Sequence, residues 1–140
     1  MDVHTGLGKF GSENWILDGL QSEEDEMFWK RALDEAPLIN PMTDKSYYRA
    51  QGTLADAFRD NFSEAHVLYI FEEFGTLSML KVIKALLQEN KTFLKLKLDR
   101  MRAFLMIATF FPYEKGWRIK AVSDGKHSFF RMVDALSKSS

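Results

Sequence analysis

The chain contains no cysteine. That absence excludes disulfides, thiolate zinc sites and cysteine nucleophiles. Neither sign of charge is in excess: 19 basic residues stand against 20 acidic ones, a net charge of −1. Such a balance gives no electrostatic footprint for nucleic acid, so no nucleic-acid partner is expected. No long apolar run is present. The longest, Ala103 to Phe111, is interrupted by Thr109 and is far too short to span a bilayer. No apolar stretch follows Met1, where Asp2 and His4 stand instead, so neither a signal peptide nor a membrane partner is expected, and a cytoplasmic location is. Low-complexity segments and internal repeats are absent as well. What remains is an ordinary globular composition, 46% hydrophobic and 14% aromatic over 140 residues. That is enough for one domain with a real core.

The stretch from Val67 to Asn90 organises the rest. Val67 to Phe71 is β-branched and aromatic, the composition of a buried strand. Gly75 is expected to break that strand and Thr76 to cap a following helix. Leu77, Leu80, Ile83, Ala85, Leu86 and Leu87 recur at helical spacing and predict one wide apolar stripe. Between strand and helix stand Glu72 and Glu73. Two carboxylates closing an apolar strand are costly if buried without partners. The carboxyl end of a strand is also where open α/β sheets hold ligands.

Taken in order, the chain opens with Met1–Val3 as a possible strand end and a glycine-rich loop at residues 5–11. Gly6, Gly8 and Gly11 spell G-x-G-x-x-G, but the dinucleotide reading fails, because that motif needs a full strand before it and a helix starting within it. Ser22 to Leu33 predicts a helix with Ser22 and Asp25 as an approximate capping box and Met27, Phe28 and Leu33 as its apolar side. Pro37 and Pro41 mark a loop. Gly52 to Phe62 predicts a short helix with Leu54, Ala57 and Phe58 inward. Leu94 to Phe111 predicts another, stopped by Pro112, with Leu98, Met101, Leu105 and Ala108 on one face. Lys95, Lys97, Arg100 and Arg102 would be its solvated side. Trp117 to Leu136 predicts a last helix with a possible break at Gly125. One strand cannot make a sheet, so further short strands are expected within residues 12–20 and 38–50, unless part of the sheet lies outside the chain.

Asp2-Val3-His4-Thr5-Gly6-Leu7-Gly8, followed by Glu73-Phe74-Gly75-Thr76, resembles zinc carboxypeptidase-like proteins, in the bacterial branch listed as a domain of unknown function. Tyr48-Arg49-Ala50-Gln51-Gly52-Thr53-Leu54, Glu89-Asn90, Phe111-Pro112 and Trp117 extend the resemblance from residue 2 to about residue 136. It implies an α/β fold: the C-terminal part of a mixed sheet with packed helices over residues 1–92, and a helical C-terminal extension over residues 93–140. It implies that His4 is a zinc ligand and that Glu73 is the general base on a zinc-bound water, acting on a peptide or amide substrate. Both roles suit the residue types. The strands ending at His4 and Glu73 would be parallel neighbours. Tyr48 would be a substrate contact. The family's other two ligands form a His-x-x-Glu motif upstream, with the arginines that hold the substrate carboxylate, and the sequence resembles only the half that follows them. Zinc is then not expected to be retained, nor activity, by this chain alone. Self-association, or a second chain that supplies the missing half, is expected.

Blander readings stand beside these. His4 alone is an exposed histidine near a terminus. Glu72 and Glu73 alone are acids before a helix N-terminus, where acids are favoured. His66 and His127 lack acids or histidines at ligand spacing. Tyr47 and Tyr48 are most simply packing residues, and Trp15, Trp29 and Trp117 core ones. The functional alternative to a hydrolase is a non-catalytic remnant that acts as a binding module.

Overall fold

The computed structural model describes residues 1–18, 22–34, 36–44, 47, 50–94 and 100–138. It is a mixed α/β fold. The elements run β1 (Asp2–Leu7), β2 (Glu13–Leu17), α1 (Glu23–Ala32), β3 (Leu38–Ile39), α2 (Leu54–Asn61), β4 (Ile70–Leu77), α3 (Met79–Leu94), α4 (Arg100–Phe110) and α5 (Lys115–Ser137). The two short strands foreseen within residues 12–20 and 38–50 are β2 and β3. They pair in parallel, Trp15 against Leu38 and Ile16 against Ile39. The four strands lie in the order β1-β4-β2-β3.

A turn fixes how β1 passes into β2. Ser12 N–H donates to Lys9 O at 2.8 Å, and Gly11 has φ +74°. A residue in that left-handed region at the third position of a tight turn is the type II pattern, and it favours glycine. Gly11 N–H also donates to Gly75 O at 2.9 Å, while Gly75 N–H donates to Ser12 O at 2.8 Å. Two residues thus oppose one, a bulge with glycine at its first position, as antiparallel strands form. β2 and β4 therefore run antiparallel here. Along β1, Asp2 meets Tyr69, His4 meets Glu73 and Gly6 meets Thr76. The contacts advance together along both strands, so β1 and β4 are parallel neighbours.

The chain divides into two compact units. The first comprises Met1–Val3, Asn14–Glu72 and Gly125–Ser140. Its core is Trp15 and Leu17 of β2, Phe28, Trp29 and Ala32 of α1 with Leu33 at its C-cap, Ile70 of β4 and Met132 of α5. α1 begins as its sequence predicts: Ser22 Oγ accepts from Asp25 N, and the Asp25 carboxylate accepts from the Ser22 amide in return. Met27, expected inward, is exposed, and Trp29 takes that place. α2 starts on a second reciprocal cap, Thr53 with Asp56. Of its apolar residues Ala55 is buried, whereas Leu54 and Phe58 are exposed.

The second unit comprises His4–Glu13 and Glu73–Asp124. Here the structure corrects the expected strand break. Gly75 and Thr76 lie inside β4, which continues to Leu77. Thr76 caps nothing; it is fully buried and its hydroxyl donates to Gly6 O at 2.6 Å. Gly75 is required because a side chain there would overlap the Lys9 carbonyl and approach Gly8 C at 2.9 Å. The glycine-rich loop is likewise shorter than expected, since β1 runs through Thr5 to Leu7. α3 turns Val82 inward and leaves Leu80, Ile83 and Leu87 exposed, so the predicted stripe is not its buried side. On α4, Thr109 is buried and Met101 and Leu105 are exposed. Leu98, Lys95 and Lys97 lie outside the described residues. Arg118 of α5 donates to Pro112 O at 2.8 Å and lies over the rings of Phe111 and Tyr113, at 4.5 and 4.9 Å. α5 is continuous through Gly125, without the expected break.

Candidate functional site

Strand alternation sorts the residues of β4. Ile70, Glu72, Phe74 and Thr76 share one side and are all nearly inaccessible to solvent. Glu73 projects to the other side, and its side chain is 15% exposed. Glu72 and Glu73 are therefore mid-strand residues of opposite orientation, not a pair closing the strand. Glu72 is a core carboxylate of the first unit; Glu73 stands in the second.

In the second unit β1 brings His4 to Glu73. His4 Nδ1 is 3.9 Å from Glu73 Oε2, with the imidazole 47% exposed. That separation is beyond a direct hydrogen bond and suits electrostatic attraction or one shared small ligand. Gly6, two residues along β1 and on the same side, is buried. A Cβ there would sit 3.1 Å from the Phe110 ring and 3.5 Å from Glu73 Oε1. The absence of a side chain at Gly6 thus lets the Phe110 ring pack close against β1 beside the Glu73 carboxylate, as an apolar wall.

Asp2 lies on the same side of β1 as His4, in the first unit, where it accepts from Tyr69 OH at 2.8 Å. Burial of the phenol, the bond to Asp2 and the charges of Asp2 and Asp18 raise the Tyr69 pKa above its ordinary value. Tyr69 is itself braced edge-on by Phe71, ring centroids 5.5 Å apart. His66 is bound to a buried acid: its Nε2 lies 2.6 Å from Asp25 Oδ1. His127 is exposed on α5. Tyr48 lies outside the described residues; Tyr47 is half-buried.

Sequence reasoning did not find Phe110 beside Glu73, Tyr69 on Asp2, or Asp25 on His66. Each joins residues far apart in the chain and has no local signal. The bulge at Gly11 had one: Lys9-Phe10-Gly11-Ser12 carries glycine where a type II turn requires it. Among the described residues, no group of three or more His, Cys, Asp or Glu side chains is arranged to hold a metal ion, and no helix is long and apolar enough to cross a membrane.

The class of molecule is thus a mixed α/β protein with an acid–imidazole pair on two adjacent parallel strands. The chain belongs to the family of proteins of unknown function designated DUF2817, whose profile matches residues 1–124. No curated protein and no solved structure gives a significant match to it.

Proposed function

We propose that the chain carries the proton-accepting half of a hydrolytic centre of the zinc carboxypeptidase-like type, with Glu73 as general base and His4 as a metal ligand. The observation that carries this reading is the approach of His4 Nδ1 to Glu73 Oε2 across parallel neighbouring strands, 3.9 Å. A carboxylate accepts a proton from an attacking water within hydrogen-bond reach. Glu73 is partly withdrawn from solvent, and the Phe110 ring packs over Gly6 beside it as an apolar wall. The substrate class is a peptide or related amide.

The residues described do not make a zinc centre by themselves. A catalytic zinc takes three protein ligands, and this site offers one imidazole with one carboxylate beside it. No step is therefore routed through a metal here. The remaining donors would come from outside these residues. β1, which bears His4, is an outermost strand of the sheet, and an outer strand is a template for another. A segment that pairs there would bring its donors alongside His4.

The test is complementation. The chain, mixed with a polypeptide that carries a His-x-x-Glu pair, should hydrolyse a blocked dipeptide with a free carboxylate. That activity should require zinc and fall at least about 100-fold in Glu73→Gln, as loss of a general base does. Hydrolysis that survives both Glu73→Gln and His4→Ala would overturn the reading. The alternative is a non-catalytic binding module. It draws on the exposed apolar side chains of α3, where Leu80 is 80% exposed.

A further inference from the structure

We infer that the face formed by α3 and α4 docks on an anionic lipid surface. The two helices pack against each other. The two helices, residues 79–94 and 100–110, hold five Lys and Arg against one acid, a net +4, in a chain whose net charge is −1. These two helices thus carry a net positive charge, whereas the rest of the chain is net negative. At 100° per residue, Leu80, Ile83 and Leu87 of α3 fall within about 60° of arc, and Lys84 and Lys91 within the next 40°. Val82, on the opposite side, is buried and fixes which side faces inward. Leu80 is 80% exposed, Leu87 54% and Ile83 44%; Lys84 and Lys91 are exposed too. α4 adds exposed Met101 and Leu105.

An apolar stripe bordered by lysines is the pattern of a helix that lies in the headgroup region: Leu and Ile enter the acyl boundary while ammonium groups meet anionic headgroups. The choice of lysine decides between occupants. Protein interfaces are depleted in lysine, and a second copy of the two helices would bring another +4 against the first. An anionic bilayer offers the opposite charge and needs no matching shape. This is distinct from crossing the membrane, for which no helix described is long and apolar enough.

The test is cosedimentation with vesicles of phosphatidylcholine alone or with about one-third phosphatidylglycerol. The protein should pellet with the mixed vesicles and stay in the supernatant with the neutral ones. Lys84→Gln with Lys91→Gln should lower the partition coefficient about 25-fold, roughly five-fold per lysine. Leu80→Ser should weaken it independently, and added salt should reverse binding. All three positions are exposed, and unchanged circular dichroism would show that the variants fold. Equal partition into both vesicle types, or none into either, overturns the proposal. So does a dimer that Leu80→Ser converts to monomer without vesicle binding, which would give the stripe to a second copy. His4→Ala should bind vesicles as the unaltered protein does, so this proposal stands or falls apart from the hydrolytic one.

Discussion

The indole N–H of Trp117 donates to the carbonyl oxygen of Gly75 at 2.9 Å, on the same oxygen that receives the Gly11 amide. One backbone carbonyl thus joins α5, the turn before β2, and the strand bearing Glu73. Trp117→Phe should cost about 2 kcal/mol: the net worth of one hydrogen bond, since Gly11 still satisfies the oxygen, plus the buried ring volume lost. Gly75→Ala should cost about 3 kcal/mol, since its Cβ meets rigid backbone on the turn. Urea unfolding at constant m-value measures both. A Gly75→Ala variant as stable as the original would mean that the turn is not held against β4.

That node also shows what sequence reading can and cannot reach. The strand's existence, its apolar character and the cap of α1 were legible, because each rests on residues close together in the chain. Its bounds were not: Val67 to Tyr69, read as strand, precede β4, which runs from Ile70 to Leu77. Gly75 and Thr76 have the residue types of a breaker and a cap. Long-range contacts override that preference: Thr76 bonds Gly6 O, and the turn at residues 9–12 leaves no room for a side chain at 75. The inward faces of α2 and α3 were misread for a related reason. Periodicity marks the apolar side of a helix, and here that side faces solvent while the narrower Ala55 and Val82 positions face in. At the site, the meeting of His4 with Glu73 came from motif resemblance; Phe110 and Tyr69 had no sequence signal at all.

The two reciprocal caps should be independent. Ser22→Ala and Thr53→Ala each remove a side-chain acceptor from a helix start, so each should cost about 1 kcal/mol. The caps share no hydrogen bond, and the double variant should therefore lose the sum. A strongly non-additive result in urea unfolding would mean that α1 and α2 are coupled.

Acid should weaken the first unit through Asp25. Burial pushes its carboxyl upward, but the Ser22 amide, the His66 ring and the Ser22 hydroxyl outweigh that and hold the pKa below the ordinary value. Glu26 is lowered likewise by Lys30 and Asn40. A depressed folded-state pKa contributes stability that is complete above the unfolded value, about 3.9 for Asp, and lost as pH falls through the folded one. Asp25→Asn should therefore flatten the pH dependence of stability below about pH 4. Thermal melts across that window measure the slope, and an unchanged slope would remove Asp25 from the account.

Tyr69 should resist ionisation. Burial and its bond to Asp2 raise its pKa, so the stability this provides is present below the ordinary phenol value, about 10, and lost only as pH rises through the raised one. In ultraviolet difference titration Tyr69 should stay protonated after exposed tyrosines have ionised. Asp2→Asn should bring it down toward them; no change in that variant would show that the bond contributes nothing.

Zinc content after dialysis bears on the proposed centre itself. Under the proposed function, His4 and Glu73 are two parts of a centre whose other donors a second segment supplies. The purified chain, loaded with zinc and dialysed, should then retain far less than one equivalent, and His4→Ala should retain no less than the parent. One tightly held zinc per chain, lost on His4→Ala, would contradict it, because these residues would then suffice to build the site.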